Sequence, residues 1–258
     1  MTRRALVTND DGIEFEGLRH LAHAAQASGF DVTIAAPRDE ASGSSAALTA
    51  VQSDGRVLVE RRELPGLTDV PAFAVAAAPG FIVLIAARGA FGAVPDVVLS
   101  GINRGANTGS AILHSGTVGA TLTARAHGCR GLAVSIASAH PAHWATAADA
   151  ATRAIAMLVA SDEPLVLNLN VPDVAPSELH GMRRARLASF GAVQTVLTEV
   201  GKGYVRLGVE EPSAELEPHT DAALVAAGYA TLTPLDPICE RSDLELPIAR
   251  FMNNPEER

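Results

Sequence analysis

The chain has 258 residues, with 29 Asp and Glu against 20 Lys and Arg, for a formal net charge of −9. That balance excludes a protein that grips a nucleic-acid duplex without regard to sequence, which needs a basic face. Cys129 and Cys239 are too few for a disulfide framework or a Cys-type zinc site. No apolar h-region follows Met1-Thr2-Arg3-Arg4 and no apolar run is long enough for a bilayer, so a cytoplasmic protein without a membrane partner is expected.

Taken in order, "ALVT" (5–8) reads as a buried strand and "GLRHLAHAAQASG" (17–29) as a helix. Leu18, Leu21, Ala22 and Ala25 share one face of that helix, and Gly29 suits its C-terminal end. "DVTIAAP" (31–37) is a second strand, and "GFIVLIAARGAFG" (80–92) a buried helix. "DVVLSG" (96–101), "LAVSI" (132–136) and "PLVLNLNVP" (164–172) are strands, separated by helices over 117–128 and 144–160, where Trp144 and Met157 fit core packing. Strands and helices in this rhythm predict βαβ units and a doubly wound, mostly parallel sheet over residues 1–180. From 181 to 258 a smaller β-rich extension is expected. It has two extended arms with Gly201-Lys202-Gly203 near their tip, then a helix and strand over 220–235, and it offers an oligomer interface.

Doubly wound sheets bind ligands beyond the carboxyl ends of their strands. Asp10-Asp11, Ser42, Ser100 to Asn107 and Ser115-Gly116-Thr117 all fall just after expected strands or just before expected helices, so they converge on one edge. In "LVTNDDGI", Gly12 permits a turn that brings both carboxylates to one ligand. Hard oxygen donors of this kind suit Mg²⁺, Mn²⁺ or Ca²⁺. Taken alone, "NDDG" fits a solvated Asx turn better, and "ASGSS" fits a surface loop. Ser115 and Thr117 at a helix start form an anion cradle or simply an N-cap, and the two roles are compatible. No Walker A loop, H-E-x-x-H helix or G-x-S-x-G elbow is present around these residues.

Together, "LVTNDDGI", "VTIAAPRDEASGSS", "PDVVLSGINRGANTG", "HSGTVGATLTA", "LNLNVP" and "GYATLTPL" resemble the SurE family of survival-protein nucleotidases, in the family's order over residues 5 to about 236. The resemblance implies a Rossmann-like core, one divalent metal per subunit (Mg²⁺ or Mn²⁺, with Ca²⁺ an alternative occupant) and a homodimer or homotetramer. By position, Asp10, Asp11, Ser42 and Asn103 match metal ligands, the two aspartates being also the catalytic pair. Asn107, Ser115, Gly116 and Thr117 match phosphate-contacting positions. The implied activity is metal-dependent hydrolysis of nucleoside 5′- or 3′-monophosphates. A non-catalytic nucleotide-binding module and a phosphatase for an unusual nucleotide or sugar phosphate are the alternatives. One stretch departs from the pattern. Where many members carry a Gly-Thr-Pro-x-Asp-Cys-Val segment, this chain has "AAPGFIV", with Ala78 and Phe81 replacing the threonine and the aspartate. His114 stands where many relatives have an aromatic residue and is given no role.

Overall fold

Alternation of side chains along apolar strands, with helices available for both faces, builds the core. The computed structural model describes residues 3–189, 194–201, 204–210, 216–240 and 243. β1 (Arg4–Thr8) leads through α1 (Glu16–Ala27) to β2 (Asp31–Pro37). The short pair β3 (Gln52–Ser53) and β4 (Arg56–Val57) precedes β5 (Val59–Arg62) and β6 (Ala72–Val75). α2 (Pro79–Ala86), β7 (Val97–Arg104), a 3₁₀ turn (Gly109–His114), α3 (Gly116–Ala126), β8 (Arg130–Ile136), α4 (Trp144–Ala160) and β9 (Val166–Val171) follow. The chain continues with β10 (Met182–Arg184), β11 (Gln194–Gly201), β12 (Tyr204–Glu210), α5 (Asp221–Ala226) and β13 (Ala230–Leu235).

Nine strands form one sheet in the order β10-β13-β9-β8-β7-β1-β2-β6-β5. Its central strands are parallel, while β5 and β13 run antiparallel to their neighbours β6 and β9. Val7, Leu99 and Ile34 face α1 and α4, whose Leu18, Leu21, Ala147, Ala151 and Ile155 join the same cluster. Leu6, Val98 and Ala35, one residue along on each strand, face Ile82 and Val83 of α2 and Ala120 and Ala124 of α3. Each fully buried Leu or Ile contributes about 1.5–3 kcal/mol, so a slip by one residue, which exchanges the two faces, is strongly disfavoured. The chain leaves β1 toward β2 and β6, then returns through α2 to β7 on the other side of β1. The sheet order therefore switches between β1 and β7.

Several elements differ from their expected extents. α2 stops at Ala86, because Gly89 and Gly92 take positive φ angles and turn the chain. Met157 lies on the outer side of α4 and is 51% exposed, while its neighbours Ile155 and Leu158 are buried. Trp144 does pack against the core, edge-on to Phe15 and stacked on His20. The described strands beyond residue 180 divide between two roles. β10 and β13 extend the main sheet, whereas β11 and β12 pair as a separate hairpin. Lys202 and Gly203 of the expected arm tip, and residues 244–258, lie outside the described residues. Among the described residues no helix is long and apolar enough to cross a membrane.

α5 is tied back to the centre by Asp221, a fully buried carboxylate. Its Oδ2 accepts the Gly109 N–H at 2.9 Å, and its Oδ1 accepts the N–H groups of Ala188 and Ala222 at 3.0 and 2.8 Å. Burial raises its pKa, outweighing these donors. A raised carboxyl pKa means that the native chain holds its proton more tightly than the unfolded one. The associated stability is complete below the unfolded value of about 3.9 and is lost as pH rises through the native value. The stability of the wild type relative to Asp221→Asn should therefore decline as pH is raised from about 3.9. Urea denaturation over a pH series checks this, and a difference independent of pH contradicts it.

Candidate active site

The edge at the β1/β7 switch is built by four chain segments. After β1, Asn9 closes a tight turn on itself: its Nδ2 donates to the Gly12 carbonyl at 2.9 Å and its Oδ1 accepts the Gly12 N–H at 3.1 Å. Gly12 has φ +104°, a conformation that disfavours side chains. The Asx turn expected from "NDDG" is thus present, but it is made by Asn9 and is buried. It leaves the Asp10 and Asp11 side chains, 4% exposed for the whole of Asp10 and 2% for the Asp11 side chain, turned into the protein.

Asp10 docks on the start of α3. Thr117 donates its backbone N–H to Oδ2 at 3.0 Å and its hydroxyl to Oδ1. Gly116 makes the approach possible, because a Cβ there would stand 2.8 Å from Asp10 Oδ2 and 2.6 Å from Ser44 Oγ. Thr117 is fully buried with both donors committed to Asp10, so it holds a carboxylate and does not line the open cavity. Ser115 accepts the Val118 N–H at 3.1 Å, which is the N-cap role, and its own hydroxyl proton remains available. Desolvation raises the Asp10 pKa. Burial and then the neighbouring Asp10 charge push Asp11 up to about 7, against the pull of Arg104.

β7 supplies the next group. Its register with β8 shifts between Ser100 and Asn103, a bulge of the kind that re-aims side chains at strand ends. Asn103 Nδ2 donates to the carbonyls of Arg104 and Gly105 at 3.0 and 2.7 Å, which leaves its oxygen facing away without a donor. Arg104 lies 3.2 Å from Asp11 Oδ1 through Nε and 3.1 Å from Glu40 Oε2 through a terminal nitrogen, with Phe15 5.4 Å beneath its guanidinium. Ser42 is exposed and donates its hydroxyl to Glu40 Oε1 at 2.7 Å.

Asn107 is held from β8 and β9. Its N–H reaches Asn170 Oδ1 at 2.7 Å, its Nδ2 reaches Ser135 Oγ at 2.8 Å, and its carbonyl accepts from Asn168 and Asn170 at 2.8 Å each. One side-chain amide hydrogen is left over. A cavity of about 310 Å³ gathers Asp10, Ser42, Asn103, Arg104, Asn107, His114 and Ser115 on its walls. A larger cavity, about 990 Å³, lies at the amino ends of the strands around Arg3, Phe30, Ile155 and Val159, where no comparable set of polar groups converges among the described residues. Of the eight expected site residues, five line the smaller cavity. Asp11, Gly116 and Thr117 stand immediately behind it.

The donor set fits a hard divalent cation. Asp11 Oδ2 is buried without a hydrogen-bond partner, as are the hydroxyls of Thr8 at the end of β1 and of Ser100 within β7. Two buried carboxylates side by side are stabilised by positive charge between them. Among the described residues no cluster of three or more His, Cys, Asp or Glu offers a different kind of metal site. The departure at "AAPGFIV" places Ala78 at the N-cap of α2 and against a neighbouring cavity of about 490 Å³, lined by Val75, Ala77, Ala47 and Thr49. Gly43 borders both cavities.

Sequence reasoning passed over Arg104, Glu40, Asn9, Asp221 and the asparagine pair of β9. The only local signal for Asn168 and Asn170 was their polarity at alternate positions of an otherwise apolar strand.

A doubly wound α/β sheet with buried paired carboxylates and a capped helix start at its switch point defines a Rossmann-like protein with a polar, acidic pocket at that edge. Within that class the chain belongs to the SurE family: the family model described as survival protein SurE matches residues 5–192. Among its relatives, the 5′-nucleotidase SurE of Synechococcus sp. (strain JA-3-3Ab) is 37% identical over 238 residues, covering 90% of this chain and 91% of that protein. The 5′-nucleotidase SurE of Gloeobacter violaceus is 36% identical over 237 residues, covering 90% and 89%. The crystal structure of the SurE protein from Aquifex aeolicus superposes with a TM-score of 0.79 at 25% identity, covering 97% of this chain and all of that one.

Two glycines of α3 separate steric causes. At Gly119 a Cβ would lie 2.3 Å from the Ser45 backbone, whereas at Gly116 it meets side-chain atoms of Asp10 and Ser44. Backbone yields less readily than side chains, so Gly119→Ala should cost more stability than Gly116→Ala, by about 1 kcal/mol or more. Denaturant midpoints of the two variants give the comparison.

Proposed function

We propose that this chain is a divalent-metal-dependent phosphomonoesterase that hydrolyses nucleoside monophosphates, the 5′ esters foremost and the 3′ esters as further substrates. The observation that carries the reading is the convergence of Asp10, Asn103 and the Ser115-capped helix start on one cavity at the sheet's switch point, with the buried Asp11 carboxylate and its orphaned oxygen directly behind. The relatives' designation as 5′-nucleotidases supports it. Asp10, Asp11, Ser42 and Asn103 are assigned as ligands of one Mg²⁺ or Mn²⁺, with Ca²⁺ able to occupy the same oxygens. When bound, that ion supplies charge neutralisation for the phosphoryl oxygens and lowers the pKa of a water.

The chain's own residues do the rest. Thr117 fixes Asp10 through two hydrogen bonds, so the carboxylate needs little reorganisation when a ligand arrives. The Ser115 hydroxyl and the free amide hydrogen of Asn107 are donors for phosphate oxygens. The α3 N-terminus, with Gly116 in its first turn, adds the favourable end of the helix dipole. Ser135 and the asparagine pair Asn168 and Asn170 behind Asn107 hold its donor in one orientation. Ser42 and Asn103 are neutral, so within the assigned ligand set only two carboxylates balance the ion, and the nearby Glu40 is paired with Arg104. We further assign the chain to the cytoplasm and to a homodimer or homotetramer joined through the β11–β12 hairpin, because a lone two-stranded hairpin is marginal in water.

Phosphate release from a panel of 5′ and 3′ monophosphates, sugar phosphates included, tests the activity. Release should require Mg²⁺ or Mn²⁺ and stop in chelator. Asp10→Asn and Asp11→Asn should each lower kcat/KM by about 100-fold or more. Full activity in chelator removes the metal role. Tight nucleotide binding without turnover under every metal identifies a binding module instead, and turnover confined to a sugar phosphate or unusual nucleotide identifies a specialised phosphatase. For the assembly, light scattering of the full chain should give a multiple of the subunit mass, and deletion of residues 194–210 should reduce it. A monomeric full chain contradicts the interface.

A further inference from the structure

Two charged residues outside the assigned ligand set connect two members of it. From Asp11 the contacts run unbroken to Ser42: Asp11 Oδ1 to Arg104 Nε at 3.2 Å, Arg104 to Glu40 Oε2 at 3.1 Å, and Glu40 Oε1 to the Ser42 hydroxyl at 2.7 Å. These residues come from three segments: the turn after β1, the loop after β2 and the end of β7.

Stability is a poor explanation for this chain of contacts. The Arg104 and Glu40 side chains are 42% and 53% exposed, and exposed ion pairs contribute little to folding. Orientation is a better one. A serine hydroxyl has one proton and two acceptor lone pairs, and here the proton goes to Glu40. Ser42 therefore presents lone pairs, not a proton, to anything else that approaches it. Arg104 occupies Oδ1 of Asp11 and leaves Oδ2 without a partner. Both effects have the same sense: each leaves an acceptor free on a proposed ligand. The Phe15 ring below and the Ala41 N–H bound to the Asp10 carbonyl at 2.7 Å fix the two ends of the device.

We propose that Glu40 and Arg104 form a clasp that orients Ser42 and Asp11 as cation ligands, and that metal affinity depends on it. This inference rests on the reading of Asp11 and Ser42 as metal ligands. Outer partners that orient ligands in this way are commonly worth 10- to 100-fold in metal affinity. Glu40 and Arg104 are positioning residues, since neither is assigned to touch the ion.

The test is calorimetric titration of Mn²⁺ into the full chain without nucleotide. Glu40→Ala should weaken Mn²⁺ binding about 10-fold. Glu40→Gln keeps an acceptor for the Ser42 hydroxyl and should retain more affinity than Glu40→Ala. Because Glu40 acts through Ser42, the double variant Glu40→Ala/Ser42→Ala should bind no more weakly than Ser42→Ala. Unchanged affinity in Glu40→Ala overturns the clasp, and so do additive losses in the double variant. If Glu40→Ala melts well below the wild type without metal, Arg104→Gln carries the same expectation and decides. A wild type that binds Mn²⁺ but releases no phosphate contradicts the enzymatic reading and leaves the clasp standing. A wild type that binds no Mn²⁺ removes both.

Discussion

Two negative charges held side by side out of water are costly, and the arrangement around Asp10 and Asp11 is organised by that cost. Desolvation alone favours protonating them, as the raised pKa of each shows. Thr117 answers part of the demand at Asp10 with two hydrogen bonds, and Arg104 answers part at Asp11 with a charge. The Asp11 oxygen that still lacks a partner marks the remainder. The absence of side chains at Gly12 and Gly116, the bulge in β7 and the cap on α3 all serve to bring those answers within reach.

The scaffold can hold such strain because its centre is rigid. Every residue of β8 beyond Arg130 and every residue of β9 is buried, and the two faces of the central strands are covered by different helix pairs. Strand ends anchored in this way move little, so the loops that follow inherit a fixed starting point. The polar groups at the edge are then positioned by short reaches from rigid elements.

Local order was legible in the sequence and long-range partnership was not. Periodicity and Gly or Pro punctuation delimit β2 and α4 to the residue, because both signals are properties of adjacent positions. The helix expected over 80–92 overruns α2, because "AARGAFG" stays apolar after its glycines have broken the helix. Nothing in "TLTPL" announces that its strand will lie beside β9, more than sixty positions earlier in places. Asp10, Asn103 and Ser115 were visible as polar residues at the boundaries of elements, where sheets of this kind keep their ligands. Arg104 and Glu40 look like ordinary surface charges, and only their distances to Asp11 and Ser42 distinguish them.

The ties between Asn107 and β9, and between Gly109 and Asp221, have a consequence for the order in which the molecule is made. All four assigned metal ligands leave the ribosome within the first 103 residues of the chain. The strand that holds Asn107 arrives some sixty residues later, and its outer edge stays open until β13 is synthesised. Asp221, which anchors the turn leading to Ser115, comes nearly as late. In chain order the acidic residues therefore precede the segments that frame the opposite wall. The last of those framing segments, β13, ends at Leu235, more than two hundred positions after Asp10 and Asp11.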